Sequence, residues 1–219
     1  MSNPQSAIGN PQSPTLFGIF GGSFDPVHNG HLVLAECCRE QLELEWVWII
    51  PASQQPLKPE GPQASNAHRV AMLEQAIADQ PGLQISTLEL DRGGVSFTAD
   101  TLAEIHDQRP CDELFLLLGA DSLADLPRWH RPEEICRLGI PAVVHRAGSA
   151  GPDFEPLRPL VSADRFKKIL ESQVEMSATP ISSSQIRALI AANGDWEEMV
   201  PVAVAEYIHQ HQLYRDKFR

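Results

Sequence analysis

The chain has 219 residues, 42% of them hydrophobic, and a formal charge of −12. That length gives one domain with a real core, and that charge argues against a general nucleic-acid binder, so an anionic ligand has to be held by local donors. The four cysteines (Cys37, Cys38, Cys111, Cys136) show no Cys-x-x-Cys spacing, no apolar run reaches membrane-span length, and the N-terminus lacks a basic-then-apolar signal; these features predict a reduced cytoplasmic protein without a disulfide framework, zinc site or membrane segment.

Residues 1–15 are rich in Pro, Ser, Gln and Asn without periodicity, which predicts a disordered tail ahead of a single domain over 16–219. Leu16-Phe17-Gly18-Ile19-Phe20 reads as a short buried strand. A glycine turn at Gly21-Gly22 then leads into a helix over 29–42. Glycine lets backbone N–H groups approach an anion, and the helix start adds unpaired donors and the positive end of its dipole. His28 and His31 are three apart and share a face there. Imidazoles donate hydrogen bonds to phosphate oxygens and add positive charge when protonated. A tight turn, a metal pair or two surface histidines are the plainer readings. The spacing fits neither the His-Glu-x-x-His of a zinc protease nor the Gly-Lys-Ser/Thr of a P-loop.

Trp46-Val47-Trp48-Ile49-Ile50, ended by Pro51, completes a βαβ unit. A Pro- and Gly-containing loop over 52–65 precedes a helix over 67–78, with Asn66 as its cap and Val70, Leu73 and Ile77 as its apolar set; His68 and Arg69 in its first turn suit a pocket or a surface equally. A strand over 83–86 and a helix from about Thr98, its expected cap, to 108 follow. The strand at 113–118 runs into Gly119-Ala120-Asp121-Ser122. Asp121 there can accept from ribose hydroxyls or cap a short helix from Ser122. In Leu126-Pro127-Arg128-Trp129-His130, the polar, proline-flanked setting argues for an accessible Trp129 face. Then come a helix over 132–138, a strand over 140–144, a loop over 150–159, a helix over 163–170 and a strand over 174–176. At 181–187, Ser182, Ser183 and Ser184 open a helix with Arg187 one turn in, a set able to hold phosphates, or simply a serine cap. A closing helix over 202–211 is packing. The pattern is α/β: a mainly parallel sheet of five or six strands, helices on both faces, ligands at the strands' carboxyl ends.

Gly21-Gly22-Ser23-Phe24-Asp25-Pro26-Val27-His28-Asn29-Gly30-His31 resembles the signature of the His-x-x-His nucleotidyltransferases. Within them the chain, from Leu16 to about Tyr214, is most similar to the bacterial nicotinate mononucleotide adenylyltransferases. Gln55-Pro56-Leu57-Lys58 stands where that family has Pro-Pro-His-Lys, so only Lys58 carries over, as a contact to substrate phosphate. Ser96-Phe97-Thr98 stands for Ser-Tyr-Thr, whose backbone N–H groups meet the pyridine carboxylate. By the same resemblance Trp129 stacks on the pyridine ring and the N–H of His130 helps hold the carboxylate. His145-Arg146-Ala147-Gly148 keeps only Arg146 of the family's Arg-Pro-Gly. Ile181-Ser182-Ser183-Ser184-Gln185-Ile186-Arg187 is similar to Ile-Ser-Ser-Thr-x-Ile-Arg.

The resemblance implies a Rossmann-like strand order and adenylyl transfer from MgATP to nicotinate mononucleotide, yielding deamido-NAD and pyrophosphate. It makes His28 and His31 catalytic. Gly21, Gly22, Ser23, Phe24, Gly30, Asp121, Ser182, Ser183, Ser184 and Arg187 join them around ATP. Asp25, Lys58, Phe97, Thr98, Trp129, His130 and Arg146 fall to the second substrate. Mg²⁺ is expected on the phosphates, largely through water, with no protein ligand set. The alternatives are a related transferase acting on nicotinamide mononucleotide or pantetheine phosphate, and a nucleotide-binding module without catalysis. The partners expected are small molecules, and oligomeric state is left open.

Overall fold

The computed structural model describes residues 14–57, 60–146, 151–177 and 180–215. Six strands, β1 (Leu16–Gly22), β2 (Trp46–Pro51), β3 (Leu83–Ile85), β4 (Glu113–Gly119), β5 (Gly139–Arg146) and β6 (Val174–Met176), pair in parallel in the order β3-β2-β1-β4-β5-β6. Both central strands are continuous apolar runs because both of their faces are covered: Phe17 to Phe20 and Leu114 to Leu118 lie in the core, Gly18 apart.

The chain moves outward from β1 to β3, returns to the middle at β4, and moves outward again on the other side. Right-handed crossovers in the two halves therefore lie on opposite faces, and a crevice opens where the order reverses. The register shows that opening. Pairing of β1 with β4 ends at Ile19 and Leu116, whereas β1 pairs with β2 as far as Gly22 and β4 pairs with β5 as far as Gly119. The two central strands part over their last three residues.

The helices are α1 (Asn29–Gln41), α2 (Asn66–Ile77), α3 (Leu88–Arg92), α4 (Thr98–Gln108), α5 (Ala120–Asp125), α6 (Pro132–Leu138), α7 (Ala163–Glu171), α8 (Ser183–Ala191) and α9 (Val202–Gln210). Four differ from the sequence reading. The cap of α2 is Ser65, whose hydroxyl accepts from the His68 amide, and its buried face is Arg69, Met72, Leu73 and Ala76, rotated from the expected Val70–Leu73–Ile77 stripe. The short helix α3 was not foreseen. Thr98 is the first residue of α4 and not its cap, since Phe97 holds that place without a side-chain bond. The helix after β4 starts at Ala120, with Gly119 as its cap. Of the expected tail, residues 1–13 lie outside the described residues, and Thr15 already accepts from the Glu113 amide beside the sheet.

Candidate active site

The turn after β1 carries the densest chemistry. Gly21 is exposed, and a Cβ built on it would meet nothing within 4 Å; the same holds for Gly119 at the end of β4, so bare backbone faces both sides of the crevice. Gly22 is different, because a Cβ there would stand 2.9 Å from the ring of Phe24. Phe24 is buried at φ 47° and packs edge-on to Phe20 and His31. It therefore backs the second histidine from the protein side.

His28 is the N-cap residue of α1, and Gly30 and His31 lie in the first turn. The His28 amide donates to Nδ1 of His31 at 3.2 Å, so the proton of a neutral His31 ring sits on Nε2. The two rings stack with centroids 3.6 Å apart. His28 is 6% exposed, and burial lowers its pKa from 6.5 to about 4. Its Nδ1 is buried without a hydrogen-bond partner among the described residues. In the free protein near neutral pH, His28 thus contributes a neutral imidazole and not the positive charge that protonation would add.

The α8 start meets this turn from the far end of the chain. Ser182 caps the helix by accepting from the Gln185 amide, and Ser183 Oγ donates to the Pro26 carbonyl at 2.9 Å. Arg187 donates through Nη1 to the Asp25 carbonyl at 2.6 Å and through Nη2 to Ser184 Oγ; its Nε is buried and unpartnered among the described residues. Serines, arginine and both histidines, some 150 residues apart in sequence, therefore share one side of the crevice.

Asp25 sits behind the turn. It is 2% exposed, and its carboxylate accepts from the amides of Gln63 and Ala64 and from Tyr214 Oη. Both of its oxygens are engaged by the protein. Arg69, fully buried, donates to the carbonyls of Ser23 and Ala52 and to Asn66 Oδ1, each at 2.7 Å. Ser23 Oγ donates to Gln55 Oε1 at 2.9 Å, so the Gln that departs from the Pro-Pro-His-Lys pattern is anchored to the histidine turn.

The pyridine-side residues converge at the neighbouring strand ends. The amide of Ser53 donates to Ser96 Oγ and that of Ser96 to the Gln54 carbonyl, which fastens the 95–97 segment to the end of β2. Phe97 and His130 rings lie 4.5 Å apart, so the Ser-Phe-Thr and Pro-Arg-Trp-His segments meet. Trp129 is half-buried against the core, with Nε1 buried and without a hydrogen-bond partner among the described residues. Thr98 opens α4, where the first amides have no acceptor within the helix. Asp121 is exposed in the first turn of α5. Lys58 and the side chain of Arg146 lie outside the described residues.

Sequence reading left Arg69 open between pocket and surface, gave Gln55 no role and did not single out Tyr214. For Arg69 one signal exists: it falls in step with Met72, Leu73 and Ala76, so a charged residue occupies the apolar stripe. Tyr214 gives no comparable sign.

The profile of the cytidylyltransferase-like family matches residues 19–189. A probable nicotinate-nucleotide adenylyltransferase of Rhodopirellula baltica is 45% identical over 205 residues, spanning 94% of this chain and 96% of its own. Another from Roseiflexus sp. is 43% identical over 203 residues, spanning 93% and 100%. Among solved structures, Plasmodium falciparum nicotinic acid mononucleotide adenylyltransferase complexed with NaAD aligns over 91% of this chain and 97% of its own, with TM-score 0.68 and 18% identity, a likeness of fold. A histidine pair at a helix start beside the strand-order reversal, a serine–arginine helix start facing it, and relatives matched almost end to end lead to one conclusion: the chain belongs to the cytidylyltransferase-like family, among its nicotinate-nucleotide adenylyltransferases.

Proposed function

We propose that the protein transfers the adenylyl group of ATP to nicotinate mononucleotide, forming deamido-NAD and pyrophosphate. The observation that carries this reading is the meeting of the α1 start, with His28 and His31, and the α8 start, with Ser182 to Arg187, beside the crevice between β1 and β4. An acceptor phosphate oxygen attacks the α-phosphorus in line. One P–O bond forms as the bond to the departing pyrophosphate breaks. The acceptor is already an anion near neutral pH, so the protein's task is positioning and charge stabilisation.

In this reading His28 and His31 donate hydrogen bonds to phosphate oxygens that gain charge, and the Gly21–Gly22 backbone lets ATP come close. Ser182, Ser183, Ser184 and Arg187 hold the pyrophosphate end, and Asp121 accepts from ribose. Phe97, Thr98, Trp129 and His130 take the pyridine ring and its carboxylate, with Lys58 and Arg146 toward the mononucleotide phosphate. Among the described residues no group of three or more His, Cys, Asp or Glu side chains could hold a metal ion, so Mg²⁺ is proposed to enter on the triphosphate's own oxygens. The cytoplasm is proposed as the setting; the four cysteines are free, and no helix among the described residues is long and apolar enough to cross a membrane.

The test is kcat/KM for nicotinate and nicotinamide mononucleotides with ATP, in wild type and in His28→Ala. Helix-start amides donate to both oxygens of a carboxylate but confront the NH₂ of a carboxamide, itself a donor. An unpaired buried group costs about 1–3 kcal/mol, so the acid should be preferred by roughly five- to 150-fold. His28→Ala should cut kcat by roughly 10². Equal use of the two substrates sinks the acid-specific reading, and near-full kcat in folded His28→Ala sinks the role given to the histidine.

A further inference from the structure

The last described segment of the chain ends at the back of the histidine turn. After α9 the backbone reverses, with the Leu213 amide donating to the Ile208 carbonyl and left-handed φ at Gln212 (51°) and Tyr214 (64°). This reversal delivers Tyr214 into a four-group cluster with Asp25, Arg69 and Arg187. Tyr214 Oη donates to Asp25 Oδ1 at 2.8 Å, beside the Gln63 and Ala64 amides, and Arg187 Nη1 lies 3.7 Å from Asp25 Oδ2. Burial and the adjacent Asp25 charge push the Tyr214 phenol far above its ordinary range, with Arg187 and Arg69 opposing, so it stays a donor at every working pH.

Asp25 is three residues before His28, and its own carbonyl is the acceptor that orients Arg187. Whatever fixes the Asp25 side chain therefore fixes the path into the α1 N-cap on one side and the Arg187 guanidinium on the other. Two of its donors are backbone amides of the 63–64 segment, which move with that loop. The third is a phenol supplied from 189 positions away, the only one of the three that a side-chain substitution can remove.

We propose that Tyr214 is a positioning residue for adenylyl transfer: through the Asp25 carboxylate, its hydroxyl latches the C-terminal segment to the turn that carries His28 and aims Arg187. The proposal rests on the adenylyl-transfer reading above and adds to it a control point outside the crevice. A purely structural Tyr214 would contribute ring packing alone, which phenylalanine preserves.

The experiment is Tyr214→Phe in the full-length chain, checked for native circular dichroism, with two readouts. Steady-state kinetics should show kcat down roughly tenfold and KM for ATP raised, with KM for nicotinate mononucleotide within about twofold of wild type, because the latch acts on the ATP side. Without substrates, the ring C–H resonances of His28 in carbon–proton NMR should move, while those of the distant His106 stay. An unchanged kcat, or an unmoved His28 resonance, overturns the proposal. So does a loss of rate that matches the fraction unfolded, or an equal rise in both KM values. Since the NMR arm needs no turnover, a wild type inactive on nicotinate mononucleotide would fell the functional reading and leave the latch to be judged by the resonance.

Discussion

With its pKa lowered from 6.5 to about 4 by burial, His28 stays neutral across the pH range in which adenylyl transfer would operate in cells. A neutral ring keeps one N–H donor and avoids the cost of burying a charge before phosphate arrives. Between about pH 6.5 and 4 the unfolded chain binds a proton at this position that the native protein refuses. The native state's advantage is therefore whole above about pH 6.5 and is lost as pH falls through about 4, to the extent of about 3 kcal/mol. NMR titration should find His28 titrating well below the ordinary imidazole range, and urea unfolding of His28→Gln should lose less stability from pH 7 to 4 than wild type. A His28 titrating at 6 to 7 would contradict this. Its place in a Gly-Gly turn before a helix made the residue legible in sequence; its neutral state was not, because that depends on burial in the folded turn, where the His31 ring stacks on it and is itself backed by Phe20 and Phe24.

The element that makes the site is the strand–turn–helix from β1 to α1, and its two glycines have unlike duties. At Gly22 a methyl group would press on Phe24, which is itself wedged against Phe20 and His31, so the strain passes to the second histidine. Gly22→Ala should destabilise by about 1–3 kcal/mol and lower kcat, whereas Gly21→Ala, with open space around its Cβ, should change stability by less than about 0.5 kcal/mol. Urea melts of both variants check this; equal losses would remove the distinction. Most elements could be read from apolar runs and their breakers. The misreadings are local. Helix α3 spans five residues, too few to show a period, and is held through Glu89, which is buried and accepts from Thr101 in α4. The rotation of α2 arose because the expected stripe was drawn through apolar side chains alone, whereas Arg69, which suited a pocket or a surface equally, lies inside with tertiary carbonyls as its partners.

Taken whole, the molecule assembles its site from ends: the carboxyl ends of β1, β2 and β4 and the starts of α1, α4 and α8. Each piece stood in the sequence as a separate short motif, and the βαβ pattern gave the expectation that ligands lie at the strands' carboxyl ends. Contacts that span the fold were illegible, since nothing near Tyr214 names an aspartate 189 positions earlier. The buried guanidinium of Arg69 has a consequence for motion. It clasps Ser23 after β1, Ala52 after β2 and Asn66 at the start of α2, so no one of these can swing out without stranding a charge in the interior. The three should breathe as one unit and only with large-scale unfolding. In native-state hydrogen exchange, the bonded amides of Ala52 and Ala64 should show protection close to that of Leu117 in the centre of the sheet. Arg69→Lys, a single ammonium in place of a fork, should speed their exchange at least about tenfold and leave Leu117 slow. The rim of the crevice would then be as reluctant to open as the core, and ATP would have to enter a site already shaped for it.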